Sequence, residues 1–445
     1  MALSAATVWE VRTTGNDGNG GGFVTGASGT DFSQQDVAQA VTTVATVVHT
    51  TTSQINVSAG DYTVVAADVG NILQITGGTA TPGFYHITAV DIPNNRWILD
   101  RSAGTAGQTV VGAMGGGIAS PAIVAPPMVN GNILFIKAGT YTMSVNTNNV
   151  SNGKWSKNAP ILVIGYDTNR VWGNVDTKPI IQATVTLTTM WAGNSNWVNN
   201  IVFDVNSQAS TRAVSGGAYT RCAFNNGTLS NSMGLATHCT ATGNSAIPFA
   251  DGGSGFFYCE AFGNTATGFS CSNASLHSCL SYDNTGATSD GFTNPSLTSA
   301  HFFNCIAYNN GRDGFRNTGG SLVSRLILQN CIAEDNVGIG INAVNTQYPS
   351  IAIRCSVFNN GTDTAGGLTE VDTLTPGSSV FTNAAAGDFS LNNTGGAGAT
   401  LRAAGYIEFD SNLFPAGLTA SFLDVGVAQH QDTGGGGGGE HSAVF

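Results

Sequence analysis

Charge is scarce in this chain. Only 9% of its 445 residues are Asp, Glu, Lys or Arg, and the 15 Lys plus Arg against 27 Asp plus Glu leave a net charge of −12. No basic run exists, so a phosphate backbone finds no electrostatic footprint, and nucleic acid is excluded as a partner. The acidic balance serves solubility. With so little Lys and Glu, and Gly at 59 positions, the composition fits short strands and turns rather than helices. Long apolar runs are missing too, so no helical membrane span is expected. The first residues, Met1-Ala-Leu-Ser-Ala-Ala-Thr7, lack a basic head and a long apolar core. They predict no signal peptide, and hence synthesis in a cytoplasm with exit by another route such as lysis. There is no Cys-x-x-Cys pair, and the seven His are scattered, so neither a metal site nor a cofactor is expected.

What the chain does have is a repeated phrase. It reads Cys239-Thr-Ala-Thr-Gly-Asn244, Cys259-Glu-Ala-Phe-Gly-Asn264, Cys279-Leu-Ser-Tyr-Asp-Asn284, Cys305-Ile-Ala-Tyr-Asn-Asn310, Cys331-Ile-Ala-Glu-Asp-Asn336 and Cys355-Ser-Val-Phe-Asn-Asn360. Two weaker copies precede these, Ile201-Val-Phe-Asp-Val-Asn206 and Arg221-Cys-Ala-Phe-Asn-Asn226, the second with its Cys one place late. The closing Asn residues stand 20, 18, 20, 20, 26, 26 and 24 residues apart. A unit of this length cannot bury its own apolar face and must stack on its copies. Cys and the small residue two places on share one face of a strand. The Gly-Asn, Asp-Asn and Asn-Asn pairs tolerate the positive φ of a tight turn. A column of Asn can also bond up and down the stack as an amide ladder. Gly-led pieces follow in several repeats: Gly268-Phe-Ser, Asp290-Gly-Phe-Thr-Asn294, Asp313-Gly-Phe-Arg-Asn317 and Gly340-Ile-Asn342. The coil then runs strand, Asn turn, Gly-led strand, loop. The cysteines read as small buried hydrophobes with free thiols, since stacked parallel side chains have poor geometry for a bridge.

The expected fold is all-β: a right-handed parallel β-helix (solenoid) with an N-terminal capping helix and a small inserted β domain. Residues 1–48 hold a short strand at Val8-Trp-Glu-Val, a Gly-rich loop and a helix over Ser33 to about Val44. The helix is signalled by Ser33 with Asp36 three on, then Val37, Ala40 and Val41. Residues 49–120 carry short strands between Gly, Pro and Asn turns, without the repeated phrase, and read as the inserted domain. Residues 121–370 form the coils, 371–431 capping strands such as Phe381 to Leu391 and Phe422 to Val427, and 432–445 a Gly-rich tail.

The Cys/Asn coils resemble the pectate-lyase-like right-handed β-helix superfamily over about Gly131 to Val427. Ile136-Lys-Ala-Gly-Thr-Tyr141 is similar to an opening coil, and Gly387-Asp-Phe-Ser-Leu391 and Phe422-Leu-Asp-Val-Gly426 to closing coils. That resemblance speaks to fold, not function. The phrase Val8-Trp-Glu-Val-Arg-Thr-Thr-Gly15, the helix and the insertion resemble tailed-phage structural proteins. This implies a virion component: a capsid decoration (cement) protein, head fibre or tailspike, commonly a trimer.

Polysaccharide cleavage is the usual chemistry of the superfamily, with paired carboxylates or with Ca²⁺ and a basic residue. Asp290 and Asp313, both in Asp-Gly-Phe and one coil apart, would stand about 5 Å from each other, the separation of a retaining pair. Turn chemistry explains the same two residues, because Asp suits the place before Gly. No coil offers the dense acidic cluster that Ca²⁺ needs. A stronger signal lies outside. Two residues before the closing Asn the side chain points outward, at Phe224, Phe262, Tyr282, Tyr308 and Phe358. Two places earlier stand Leu280, Ile306 and Ile332. Such a stripe is a subunit interface, a surface under longer loops, or an aromatic platform for sugars; a three-fold interface is favoured. The sequence therefore points to a non-enzymatic phage virion protein, a homotrimer that decorates the head and contacts the major capsid protein. The alternative is a tailspike or fibre that binds, and perhaps cleaves, host surface glycan.

Overall fold

The computed structural model describes residues 7–47, 54–124, 128–129, 131–144, 160–173, 176–193, 196–295, 298–318, 324–344, 348–402 and 404. The expected strand at 422–427 and the Gly-rich tail lie outside them. The chain forms two compact units, Met1–Asp204 with Val214–Cys222, and Val205–Ala213 with Ala223–Phe445.

In the second unit the repeated phrase is a rung. Strands Thr240–Thr242, Glu260–Phe262, Leu280–Tyr282, Ile306–Tyr308, Ile332–Glu334 and Ser356–Phe358 pair in parallel, each with the next, in one register. Strand pairing one repeat apart, maintained along the chain, is a parallel β-helix. The Asn turn forms as its residue types require. Gly243, Gly263, Asp283, Asn309, Asp335 and Asn359 all take positive φ, and the following Asn turns inward. Asn244, Asn264, Asn284, Asn310 and Asn336 each donate Nδ2–H to Oδ1 of the next Asn in the column at 2.8–2.9 Å, ending on Asn360. Asn226 is not in this ladder. Ala223 pairs with Thr240, so Gly227 is level with Asn244, and the late Cys has shifted the coil by one.

Each coil has a third strand that the phrase does not reveal. Ser275–His277, Ala300–Phe303, Leu326–Gln329 and Ser350–Ile353 run just before the cysteines and pair in parallel. Between this strand and the Cys rung stands a residue at positive φ: His238, Tyr258, Ser278, Asn304, Asn330 or Arg354. The Gly-led strand completes the coil. Its Phe column, Phe249, Phe269, Phe292 and Phe315, is fully buried. Its Gly is required by a close approach. A Cβ on Gly291 would lie 2.9 Å from Asn310 Nδ2 and 3.0 Å from Ala307 Cβ. All eight cysteines are buried free thiols.

In the first unit Val8–Val11, Ile133–Lys137, Ile161–Tyr166, Asn196–Asn199 and Ala218–Thr220 form a parallel run. Thr140–Met143, Ile180–Ala183 and Val202–Asp204 form another. The expected helix over Ser33 to Val44 is absent. A 3-10 turn at Phe32–Gln34 leads into a strand, Gln39–Val47. The capping pair never forms: the Ser33 N–H donates to Asp31 (2.8 Å), and the Asp36 carboxylate accepts from Arg12 (3.0 Å). The run Val41-Thr-Thr-Val-Ala-Thr-Val47 is β-branched and suits a strand. That strand joins Gln54–Asn56, Arg96–Leu99, Gly83–Asp91, Ile72–Gly78 and Thr109–Met114 in a closed barrel. Trp97, Tyr85, Leu73 and Ile87 fill it, and the Trp97 indole N–H donates to the buried Asp68 (2.8 Å).

Candidate functional site

Asp290 and Asp313 sit in adjacent coils, in the register set by Phe292 and Phe315, but neither faces solvent. Asp290 is 1% exposed and Asp313 3%. The Asp290 carboxylate accepts two bonds from Arg312, from Nε (2.7 Å) and Nη2 (2.5 Å), and one from the Asp313 N–H (3.2 Å). Asp313 accepts from the Ile339 N–H and from Asn342 Nδ2, both at 2.8 Å. Arg312 thus reaches back one coil rather than pairing with Asp313, and Arg316 Nε stands 3.7 Å from Asp313. Burial pushes the Asp290 carboxyl up, against the pull of Arg312. Each carboxylate fastens its turn to the next coil.

The outer stripe is covered by the chain itself. Leu280, Ile306 and Ile332 are buried under Val380, Phe381, Phe389, Leu391 and Leu401. Tyr282 and Tyr308 pack their rings on Phe389 at 5.0 and 5.5 Å. The covering piece is the antiparallel pair Phe381–Asn383 and Asp388–Leu391, which lies along the flank of the coils. Phe262 stacks on Tyr282 at 5.1 Å, and Phe262 and Phe358 remain half-buried. Phe224 is a correction of another kind. It pairs with Ala241, points inward, and is fully buried against Phe249. Of the three readings of the stripe, cover by the protein's own chain is nearest to what these residues show, though the cover is a later strand pair and not the longer loops. The ground for a subunit interface at Leu280, Ile306 and Ile332 is removed.

One group ties this cover to pH. Glu334 occupies the stripe position between Tyr308 and Phe358 and is fully buried. It accepts from the Ser379 hydroxyl and from the Val380 N–H (3.2 Å). Burial outweighs both donors and pushes its carboxyl up to about 7. A raised carboxyl holds its proton in the covered state where the uncovered state has lost it. The contribution to the cover is complete below the ordinary Glu range, declines as pH rises through it, and is gone above about 7. Amide exchange over 379–391, corrected for intrinsic rate, should be faster at pH 8 than at pH 5, and Glu334→Gln should flatten the difference. Equal protection at both pH values would refute this role.

A second outer column lies on the strands before the cysteines. Phe257, His277 and Phe303 stack face to face at 5.0 and 4.7 Å, and His238 stacks on Tyr258 at 4.9 Å. His277 has a ring on each side, while Tyr258 is 45% exposed.

The first unit holds a different arrangement. Trp197 projects from Asn196–Asn199, and Trp172 projects from the loop after Ile161–Tyr166. They are 50% and 42% exposed. Their rings lie 6.2 Å apart at an interplanar angle of 51°. Exposed indoles set side by side are uncommon, since Trp buries a large apolar area when it can. Here the loop is fastened so that its tip stays out. The Asp176 carboxylate accepts the N–H groups of Asn169 (2.6 Å), Thr168 (2.8 Å) and Asp167 (3.2 Å). Those N–H bonds, Asn169 first, hold its pKa far below the usual carboxylate range. Asn200 Nδ2 donates to the Asp176 and Gly165 carbonyls (3.1 and 3.2 Å). Asn199 Oδ1 accepts the Gly173 N–H (3.1 Å), which docks the tip beside Trp197. Arg170 anchors the other side. Its Nη2 donates to buried Glu10 at 2.9 Å, and its guanidinium lies 4.4 Å over the rings of both Tyr166 and Phe23. Nothing in the repeated phrase marks these residues. The usable signal was the alternation Asn196-Trp-Val-Asn199, which puts Trp197 opposite inward Val198.

No family model and no curated protein matches the chain. Among solved structures the chain is similar to the pectate lyase Pel9A, with 15% identity and a TM-score of 0.41 over 70% of this chain and 91% of that one. It is also similar to the A-module of the mannuronan C-5 epimerase AlgE4 of Azotobacter vinelandii, with 15% identity and a TM-score of 0.36 over 59% and 77%. A third is a rhamnogalacturonan lyase, with 13% identity and a TM-score of 0.33 over 58% and 81%.

Proposed function

We propose that this protein binds polysaccharide, with Trp172 and Trp197 as its sugar platform. The observation that carries the reading is the pair of half-exposed indoles, 6.2 Å apart, set beside a fastened loop. Sugar rings carry an apolar face of C–H groups, and an open aromatic face is the surface they stack on. The platform is organised before the ligand arrives, so little ordering entropy opposes binding. The reading is one of binding. Asp290 and Asp313 are bonded into the coil stack, and no cleavage step is assigned to them.

Trp172→Ala and Trp197→Ala test it. Truncating a stacking aromatic at the centre of a site costs about 2 kcal/mol, a loss of roughly 30-fold in affinity. Both side chains are half in water, so thermal unfolding should barely move. Affinity electrophoresis through gels cast with soluble polysaccharides would show retardation of the parent chain and its loss in both variants. Retardation that survives the double substitution would place the binding elsewhere and end this proposal.

A further inference from the structure

Resting on that reading, we infer that the ligand is a neutral polysaccharide whose chain twists from one sugar to the next, rather than a flat ribbon or a polyanion. The first ground is the ring geometry. Two neighbouring sugars can each stack only if each presents its apolar face parallel to one indole. In a flat ribbon successive faces are parallel, and they match coplanar rings. The indoles are inclined by 51° with their centres 6.2 Å apart, so two consecutive sugars satisfy both only where the chain rotates between them.

The second ground is that the backbone carrying each ring is held, so the two indoles stay side by side. Trp197 is fixed on a strand paired with Leu162 and Ala218. Trp172 is followed directly by Gly173, whose N–H is held by Asn199, and two places before it stands Arg170, whose guanidinium is held by Glu10. The Arg170–Glu10 pair has a buried carboxylate, whose isolation is costly, so the loop keeps its course beside the strand.

The third ground is charge. Arg170 is the one basic residue between Tyr166 and Asp176. It donates to Glu10 and to the Tyr166 hydroxyl, and its face lies over two rings. Asp167 and Asp176 stand in the same loop, and the whole chain carries −12. A uronate chain would meet repulsion from these two carboxylates, and the loop's own cation is already engaged.

The test titrates the full chain with three oligosaccharides of equal length while following tryptophan fluorescence. They are a β-1,3-glucan (neutral and helical), a cello-oligosaccharide (neutral and flat) and an oligogalacturonate (anionic). The expected order is the β-1,3-glucan about tenfold tighter than the cello-oligosaccharide, and no binding of the galacturonate at about 0.15 M salt. Trp172→Ala should weaken the glucan about tenfold more than the cello-oligosaccharide, which removes the preference. Equal or tighter binding of the flat or the anionic chain, lost in Trp172→Ala, would overturn the inference and leave the platform standing. A fluorescence signal unmoved by all three would remove both.

Discussion

Asn284→Ala is expected to destabilise the coil stack by about 4 kcal/mol, from two buried polar groups left without partners at roughly 1–3 kcal/mol each. Asn284 is fully buried. Its Oδ1 accepts from Asn264 Nδ2 (2.8 Å) and from the Asn264 N–H (3.2 Å). Its Nδ2 donates to Asn310 Oδ1 (2.8 Å), Ser281 Oγ (3.0 Å) and the Ala261 carbonyl (3.2 Å). Removing the amide isolates the Asn264 N–H and Asn310 Oδ1 where water cannot follow. Asn284→Asp separates hydrogen bonding from size. Its carboxylate still accepts from Asn264, but its second oxygen faces Asn310 Oδ1 and the Ala261 carbonyl, acceptors both. The Asp variant should therefore be at least as damaged at pH 7 and partly recover in acid, where a protonated carboxyl can donate. A repeat stack unfolds piecewise, so the measurement is amide exchange across 259–310 together with the denaturation midpoint. A loss under 1 kcal/mol, or an Asp variant as stable as the parent at pH 7, would show that the ladder is incidental.

The same column shows why much of the coil was legible. One residue type closing the same six-residue phrase, six times over, leaves a single register in which every Asn meets an Asn. The Cys and Ala positions confirm that register, because only small side chains fit beside the ladder. The third strand was not legible. It is divided from the Cys rung by residues at positive φ, and when these are His238, Tyr258 or Arg354 rather than Gly or Asn, the sequence carries no turn signature. Outward orientation was correctly read for Leu280, Tyr282, Ile306 and Tyr308. Their cover was not, since Phe381 and Phe389 arrive some 70 to 110 residues later and no local pattern announces them. The helix over Ser33 to Val44 failed for a similar reason. Asp36 looks like a cap until Arg12, 24 residues earlier, claims it. Phe224 failed by one residue, and in a strand one residue is the difference between core and solvent. Trp197 stands on the strand before the weak copy at Ile201 and Trp172 in a loop one coil earlier, outside the phrase itself, so repetition marks neither.

Phe292→Ala should cost about 4 kcal/mol, near the middle of the range for a buried Phe truncated to Ala. Its ring is fully buried and stacks on Phe269 at 5.0 Å and 12° and on Phe315 at 4.8 Å and 6°. Phe302 meets it edge-on at 5.6 Å. Collapse into the space is blocked from both sides. The strands above and below are held at their spacing by backbone bonds, including Phe269 N–H to the Gly291 carbonyl (3.0 Å) and Phe292 N–H to the Gly314 carbonyl (2.9 Å). The cavity should then persist, and a persistent cavity is what makes truncation expensive. Phe292→Leu keeps most of the volume and should lose about 1 kcal/mol. The outer stack supplies the comparison. His277 lies between Phe257 and Phe303 at similar distances, yet it is only half-buried, and its replacement by Ala leaves a notch that water fills. That variant should lose about 1 kcal/mol, the worth of the stacking itself. The difference between the two substitutions measures enclosure rather than ring contact. If Phe292→Ala and His277→Ala prove equally mild in denaturant titrations, the interior column is not the closed, rigid stack that the register of these strands describes.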